Sequence, residues 1–175
     1  MRDKRLRYCA TFFLGLAIFG GFIFGAAPVF SQPVVGQSFA SPELVPGETW
    51  KIYLRATSPE ANMKYIFASI QQAGGMAYPL SITRLKGENQ KDLSGYLILT
   101  TVSAGRPLDF VTLKLTINIR DDKGRFSEPV EFPLTFNPRA SAKTPPEGVF
   151  QEKDLGPIMI SLRPVGEDGG ASFGQ

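Results

Sequence analysis

From Val111 to Phe136 apolar and polar residues alternate in two runs joined by a polar turn. Val111, Leu113, Leu115, Ile117 and Ile119 are separated by Thr112, Lys114, Thr116 and Asn118, a period of two that places aliphatic side chains on one face of a strand. Asp121-Asp122-Lys123-Gly124-Arg125 follows, where Gly124 can take a positive φ without steric penalty, and Val130, Phe132, Leu134 and Phe136 then alternate with Glu131, Pro133 and Thr135. The pattern predicts a β-hairpin, and its apolar face requires further strands as an opposite wall.

The same period recurs upstream. Pro33, Pro42 and Pro46 fit an irregular first edge strand around Gln37 to Phe39. Trp50, Ile52, Leu54 and Ala56 alternate with Lys51, Tyr53 and Arg55, which predicts a half-buried strand. After the turn cluster Ser58 to Asn62, Met63 to Gln71 reads as a strand that is apolar on both faces near Tyr65, Ile66 and Phe67. Gly74-Gly75 breaks it; Tyr78, Leu80 and Ile82 suggest an edge strand marked by Pro79, and Leu93 to Val102 a further one. Short strands at close spacing with no long helical period predict an all-β, antiparallel two-sheet sandwich and argue against a parallel α/β fold.

Three regions follow from this reading: a leader over 1–31, a sandwich domain over 32–138 and a Pro/Gly-rich tail over 139–175. In the tail, Asn137 to Gly148 reads as a linker, Ile158 to Leu162 as a short strand and Gly166 to Gln175 as a disordered end. Pro129, Glu131 and Pro133 share one edge of their strand, and prolines lack the N–H that a neighbour would need. The tail strand is therefore expected to dock elsewhere than beside Val130 to Phe136.

Charge changes the picture at the N-terminus. The formal net charge is +3, but Arg2, Lys4, Arg5 and Arg7 against Asp3 account for it, and fifteen basic and fifteen acidic residues make up the rest. A nucleic-acid surface is not expected of such a balanced domain. Tyr8 to Phe30 is uncharged, follows the basic residues and reads as a signal or anchor helix. Read as a secretory signal peptide, it is cleaved after Ser31; read as an uncleaved anchor, Cys9 to Phe30 is long enough to cross a hydrocarbon core of roughly 30 Å. Both place the domain outside the cytoplasm, in the periplasm or at the cell surface, with a membrane contact only through the N-terminal segment.

The 175 residues include no histidine, which removes Ser-His-Asp and Cys-His nucleophile arrangements and the commonest metal ligand. The one cysteine, Cys9, lies in the leader, so the domain forms no disulfide and no cysteine zinc site. Asp109, Asp121, Asp122, Glu128 and Glu131 could supply a carboxylate pair, yet Asp121 and Asp122 sit where Asp favours turns and Glu131 points to solvent. Gly74-Gly75 opens no helix and reads as a hairpin turn, not a phosphate loop. Trp50, Tyr53, Tyr65, Phe67 and Tyr78 could form an aromatic platform, but Trp50 and Phe67 fall on apolar faces and read as core; Tyr53 falls on the polar side.

The run LKLTINIRDDKGRFSEPVEFPLTF resembles the last two strands of bacterial immunoglobulin-like or fibronectin type III-like modules, and the surroundings of Trp50, from Val45-Pro46-Gly47-Glu48 to Ala56-Thr57-Ser58-Pro59-Glu60, are similar to their second strand. The resemblance covers about residues 36–138 and implies an immunoglobulin-like sandwich without the antibody cysteine pair. Related cadherin-like modules bind calcium in such turns, but Ser58 and Ala61 stand where acidic ligands would be wanted, so no cofactor or metal is expected. The resulting expectation is an exported, non-enzymatic binding or structural module of a bacterial cell envelope, with a protein or carbohydrate partner, no catalytic residue and no nucleic acid. The alternatives are a membrane-anchored accessory subunit of an envelope complex and a carboxylate-dependent envelope hydrolase.

Overall fold

The computed structural model describes residues 31–73, 77–104, 108 and 110–162. The leader before Ser31, the Gly74-Gly75 break, Asp109 and the terminus Gly166 to Gln175 lie outside the described residues.

In chain order the strands are β1 (Val34–Ala40), β2 (Glu43–Leu44), β3 (Thr49–Thr57), β4 (Met63–Gln72), β5 (Ser81–Arg84), β6 (Asp92–Thr100), β7 (Thr112–Asp121), β8 (Val130–Phe136) and β9 (Asp154–Pro157). Sheet A has the order β1-β3-β6-β9 and sheet B the order β2-β8-β7-β4-β5. Each alternating run turns its aliphatic set inward: Trp50, Ile52 and Leu54 from β3 meet Leu113, Leu115, Ile117 and Ile119 from β7 in one buried cluster. The fold is all-β, with two sheets packed face to face as in a β-sandwich.

It is not purely antiparallel, as the sequence pattern suggested. β2 runs parallel to β8, and β9 parallel to β6. Parallel neighbours need a long connection between them, and both pairs have one: β2 and β8 are separated by most of the domain, and β9 follows a long excursion after β8. Neither is visible as alternation, because the strands have only two and four residues.

The outer edge of β8 follows its prolines. Thr135 N–H donates to Pro42 O at 2.9 Å and Asn137 N–H to Leu44 O at 2.9 Å, so the set containing Pro133 faces this edge. β2 pairs only at Thr135 and Phe136, beyond the last missing donor. The C-terminal segment goes elsewhere. It leaves β8 at Asn137, donates from Lys143 N–H to Ser41 Oγ at 3.0 Å and crosses the outside of sheet A, where the Phe150 ring lies 5.5 Å from that of Tyr53. Gln151 N–H then bonds Ser94 Oγ at 3.1 Å, Tyr96 N–H bonds Lys153 O at 2.8 Å, and the chain becomes β9.

The strand expected at Ile158 to Leu162 thus lies four residues earlier. The ladder ends soon after Ile158 N–H donates to Ile98 O at 2.7 Å, because Ile160 N–H turns back to Ile158 O at 3.0 Å. Ile158, Ile160 and Leu162 still alternate, and all three are buried, filling the seam between β6 and β5. Met159 N–H donates to Ser81 Oγ at 2.8 Å and Thr83 Oγ1 to Pro157 O at 3.1 Å, tying the segment to sheet B. The segment therefore belongs to the core of the domain.

Candidate functional site

β4 is apolar on both sides, so alternation alone could not choose its inner face. A register shift between Met63 and Tyr65 decides it, turning Met63 and Ile66 inward although they are three residues apart. Phe67, expected in the core, is therefore on the outer face of sheet B with Tyr65. Trp50 and Tyr78 are buried as core residues, and Trp50 Nε1–H is satisfied by Ser41 O at 2.8 Å. Tyr53 is only 5 % exposed despite its polar-side position, because Phe39, Tyr96 and Phe150 surround it. Its hydroxyl donates to Glu152 Oε1 at 2.9 Å; burial first and then this bond push the phenol above its ordinary range. The five aromatics do not form one platform.

The structure instead assembles a different group. Register places Arg84, Tyr65 and Arg120 in one row across β5, β4 and β7, and Ile82, Phe67 and Asn118 in the next. Phe126 bridges to Arg120 from the β7–β8 turn. Tyr65 and Phe67 ring centroids are 6.3 Å apart at 73°, and Phe67 and Phe126 are 5.4 Å apart at 61°. The Arg120 guanidinium lies 5.6 Å over Phe126, and Lys64 Nζ 5.6 Å over Tyr65. Gly124, with φ 86°, leaves room for Arg120, whose Nη2 would lie 3.3 Å from an added Cβ.

Ile82 and Phe126 are 53 % and 46 % exposed, giving this face an uncovered apolar centre. Its rim is basic: among the described residues Lys64, Arg84 and Arg120 form no ion pair, and Arg120 Nε is buried without a hydrogen-bond partner. Glu131, the acidic residue one row further on, is engaged by Lys114 at 2.9 Å. Sequence reasoning missed Phe126, Ile82 and Arg120 as a set. A signal was present in Phe126, an aromatic residue beside a polar turn and outside any alternating run.

Of the carboxylates considered as catalytic candidates, Asp121 and Asp122 are tied up at the adjacent end of the sheet. Asp121 is buried; Arg125 donates to it from its backbone N–H at 2.8 Å and from Nε at 2.6 Å. Arg125 and Lys123 also reach Glu60, at 2.9 and 2.6 Å. Asn62 Nδ2 donates to Asp122 at 2.9 Å, while Ser58 Oγ donates to Asn62 Oδ1 at 2.7 Å. The network fastens the β3–β4 turn to the β7–β8 turn. Glu128 stays exposed on the far side of it, and Glu131 lies on the strand face. No group of three or more acidic, cysteine or histidine side chains suited to a metal ion occurs among the described residues.

Burial opposes the charge on Asp121, but the Arg125 hydrogen bonds prevail and hold its carboxyl below the ordinary range; Lys123 and then Arg125 do the same for Glu60. Carboxyls depressed on folding confer stability that is complete above their unfolded values, about 4, and that is lost as pH falls toward the folded ones. The urea midpoint is therefore expected to drop as pH falls below about 5. Asp121→Asn should lower the midpoint at pH 6 and flatten that drop. Parallel pH profiles for the two proteins would show that the pair does not contribute.

A concavity of about 520 Å³ lies where the C-terminal segment crosses β3 and β6. Its walls mix Arg55, Lys91 and Lys153 with Glu88 and Asp92, so it has no dominant charge. No protein-family model matches the chain, and no curated protein matches it.

Proposed function

We propose that this chain is an exported immunoglobulin-like module of a bacterial cell envelope, working by binding or assembly. The observation that carries the reading is the outer face of sheet B, where exposed Ile82 and Phe126 and half-buried Tyr65 and Phe67 lie within a basic rim while the nearby Glu60 and Asp121 are held in ion pairs. An apolar centre with aromatic and arginine residues at its margin is the composition of a protein-binding surface.

The strand order supports the immunoglobulin-like part. β1, β3 and β6 oppose β8, β7 and β4, with β5 at the edge and the first segment passing from one sheet to the other through Ser41-Pro42. β9 fills the place beside β6 that an earlier strand takes in such modules, but it comes from the C-terminus. Export rests on the basic, then apolar, N-terminal sequence.

A photo-crosslinking residue at Phe126, introduced in cells that make the protein, should give adducts of discrete mass, and the same residue at exposed Met159 should not. N-terminal sequencing of the extracytoplasmic product should begin at Gln32. An intact N-terminus in membranes would favour the anchored accessory subunit, and retention in the cytoplasm together with no adduct would overturn the reading.

A further inference from the structure

Resting on the binding-module reading, we infer that β5 and the aromatic strip beside it take up an extended acidic peptide segment of a partner protein, which joins sheet B as one more strand. The argument begins with which backbone groups are free. Leu85 N–H donates to Lys64 O at 2.9 Å, and antiparallel pairing alternates from there, so Thr83 and Ser81 direct their N–H and C=O groups to β4. Ile82 and Arg84 direct theirs away from the sheet. Among the described residues neither of these two N–H groups has a partner.

The other edges are less open. The edge strand β2 has only two residues, the edge strand β9 ends in Pro157 and has its Gly156 N–H already bonded to Asp154 Oδ1, and the edge strand β1 is interrupted by a register shift between Val35 and Gln37. β5 is short but braced from its inner side, where Thr83 and Ser81 bond the C-terminal segment. A strand added there would meet a fixed template and lose less freedom of its partner on docking.

Side chains specify what would be added. A strand beside β5 projects every second residue onto the outer face, one level with Arg84 and the next level with Ile82 and Phe67. The first site calls for a carboxylate, since Arg84 lacks an ion pair among the described residues and Arg120 and Lys64 share its row or border it. The second calls for an aliphatic side chain, to cover Ile82. An acidic residue two positions from an aliphatic one is thus the minimal recognition pattern. A glycan fits less well: neighbouring rings at 73° and 61° offer no flat surface on which successive sugar rings could stack.

The test uses the domain over 32–175, a capped heptapeptide TETVTET and its charge-reversed counterpart TKTVTKT, followed by residue-resolved amide spectra and hydrogen exchange. The acidic peptide should shift Phe67, Asn118 and Phe126 and slow exchange at the Ile82 and Arg84 amides, with salt-sensitive affinity. TKTVTKT should leave these signals in place. Arg84→Glu should weaken binding about tenfold or more, equivalent to about 1.4 kcal/mol. Ile82→Pro removes a donor from the free edge without removing one from the β4 ladder, so it should abolish the slowed exchange at Arg84. If that variant fails to fold, Arg84→Glu still decides the matter. Equal binding of both peptides, shifts confined to another surface, or no shift at millimolar TETVTET would overturn the inference. So would polygalacturonate perturbing these aromatics where the peptide does not. A discrete adduct at Phe126 alongside any of these failures would leave the binding-module reading standing.

Discussion

Replacing Leu162 by Ala is expected to destabilise the domain by about 2–5 kcal/mol, whereas replacing Met159, three residues earlier, should change stability by no more than about 0.5 kcal/mol. Leu162 is 0 % exposed and Met159 75 % exposed, although both belong to a segment that composition marks as a tail. The difference arises because Ile158, Ile160 and Leu162 enter the seam between β6 and β5, where removal of three carbons leaves a cavity that the two flanking sheets cannot close. Gly95→Ala probes the same docking from the other side. An added Cβ would strike the Lys153 carbonyl oxygen and approach Leu155 to 3.0 Å, so β9 must shift. Because both changes loosen one segment, their combined effect should be smaller than the sum of the single effects. Urea unfolding of the four proteins measures this; a Leu162→Ala midpoint equal to that of the parent would remove the segment from the core.

Legibility in the sequence followed strand length and one-sidedness. β3, β6, β7 and β8 have one apolar and one polar face over seven to ten residues, and their limits lie close to those expected from alternation. β4 was legible as a strand but not as an orientation, because Tyr65, Ile66 and Phe67 are all apolar and the register shift that selects Ile66 for the core leaves no mark in composition. That ambiguity hid the candidate surface, since Phe67 was assigned inward. Phe126 and Arg120 come next to Phe67 only through the turn at Gly124 and the pairing of β7 with β4, contacts far apart in the chain. The parallel strands were invisible for another reason. β2 is two residues reached by the Ser41-Pro42 step from one sheet to the other, β9 is defined by where a long connection delivers it, and Pro-rich stretches such as Lys143 to Gly148 give no periodic signal of a route across a sheet.

The hairpin that organises the chain makes the sharpest test of register. Ile117→Asp is expected to cost more than about 4 kcal/mol, enough to unfold a domain of ordinary stability, while Thr116→Asp should cost about 1 kcal/mol or less. Ile117 is 0 % exposed and faces the opposite sheet, where a carboxylate would have neither water nor a partner. Thr116 is one residue away and therefore points to the outer face, level with Ser69 on β4 and Glu131 on β8. Its small cost has a definite source: the new carboxylate would stand opposite Glu131, and like charges directly across a ladder repel. Lys114, already 2.9 Å from Glu131, moderates that repulsion. Adding salt should therefore recover part of the Thr116→Asp loss and none of the Ile117→Asp loss, because screening acts on exposed charges and not on buried ones. Equal losses for the two variants, or salt recovery of Ile117→Asp, would show that β7 is paired one residue out of this register.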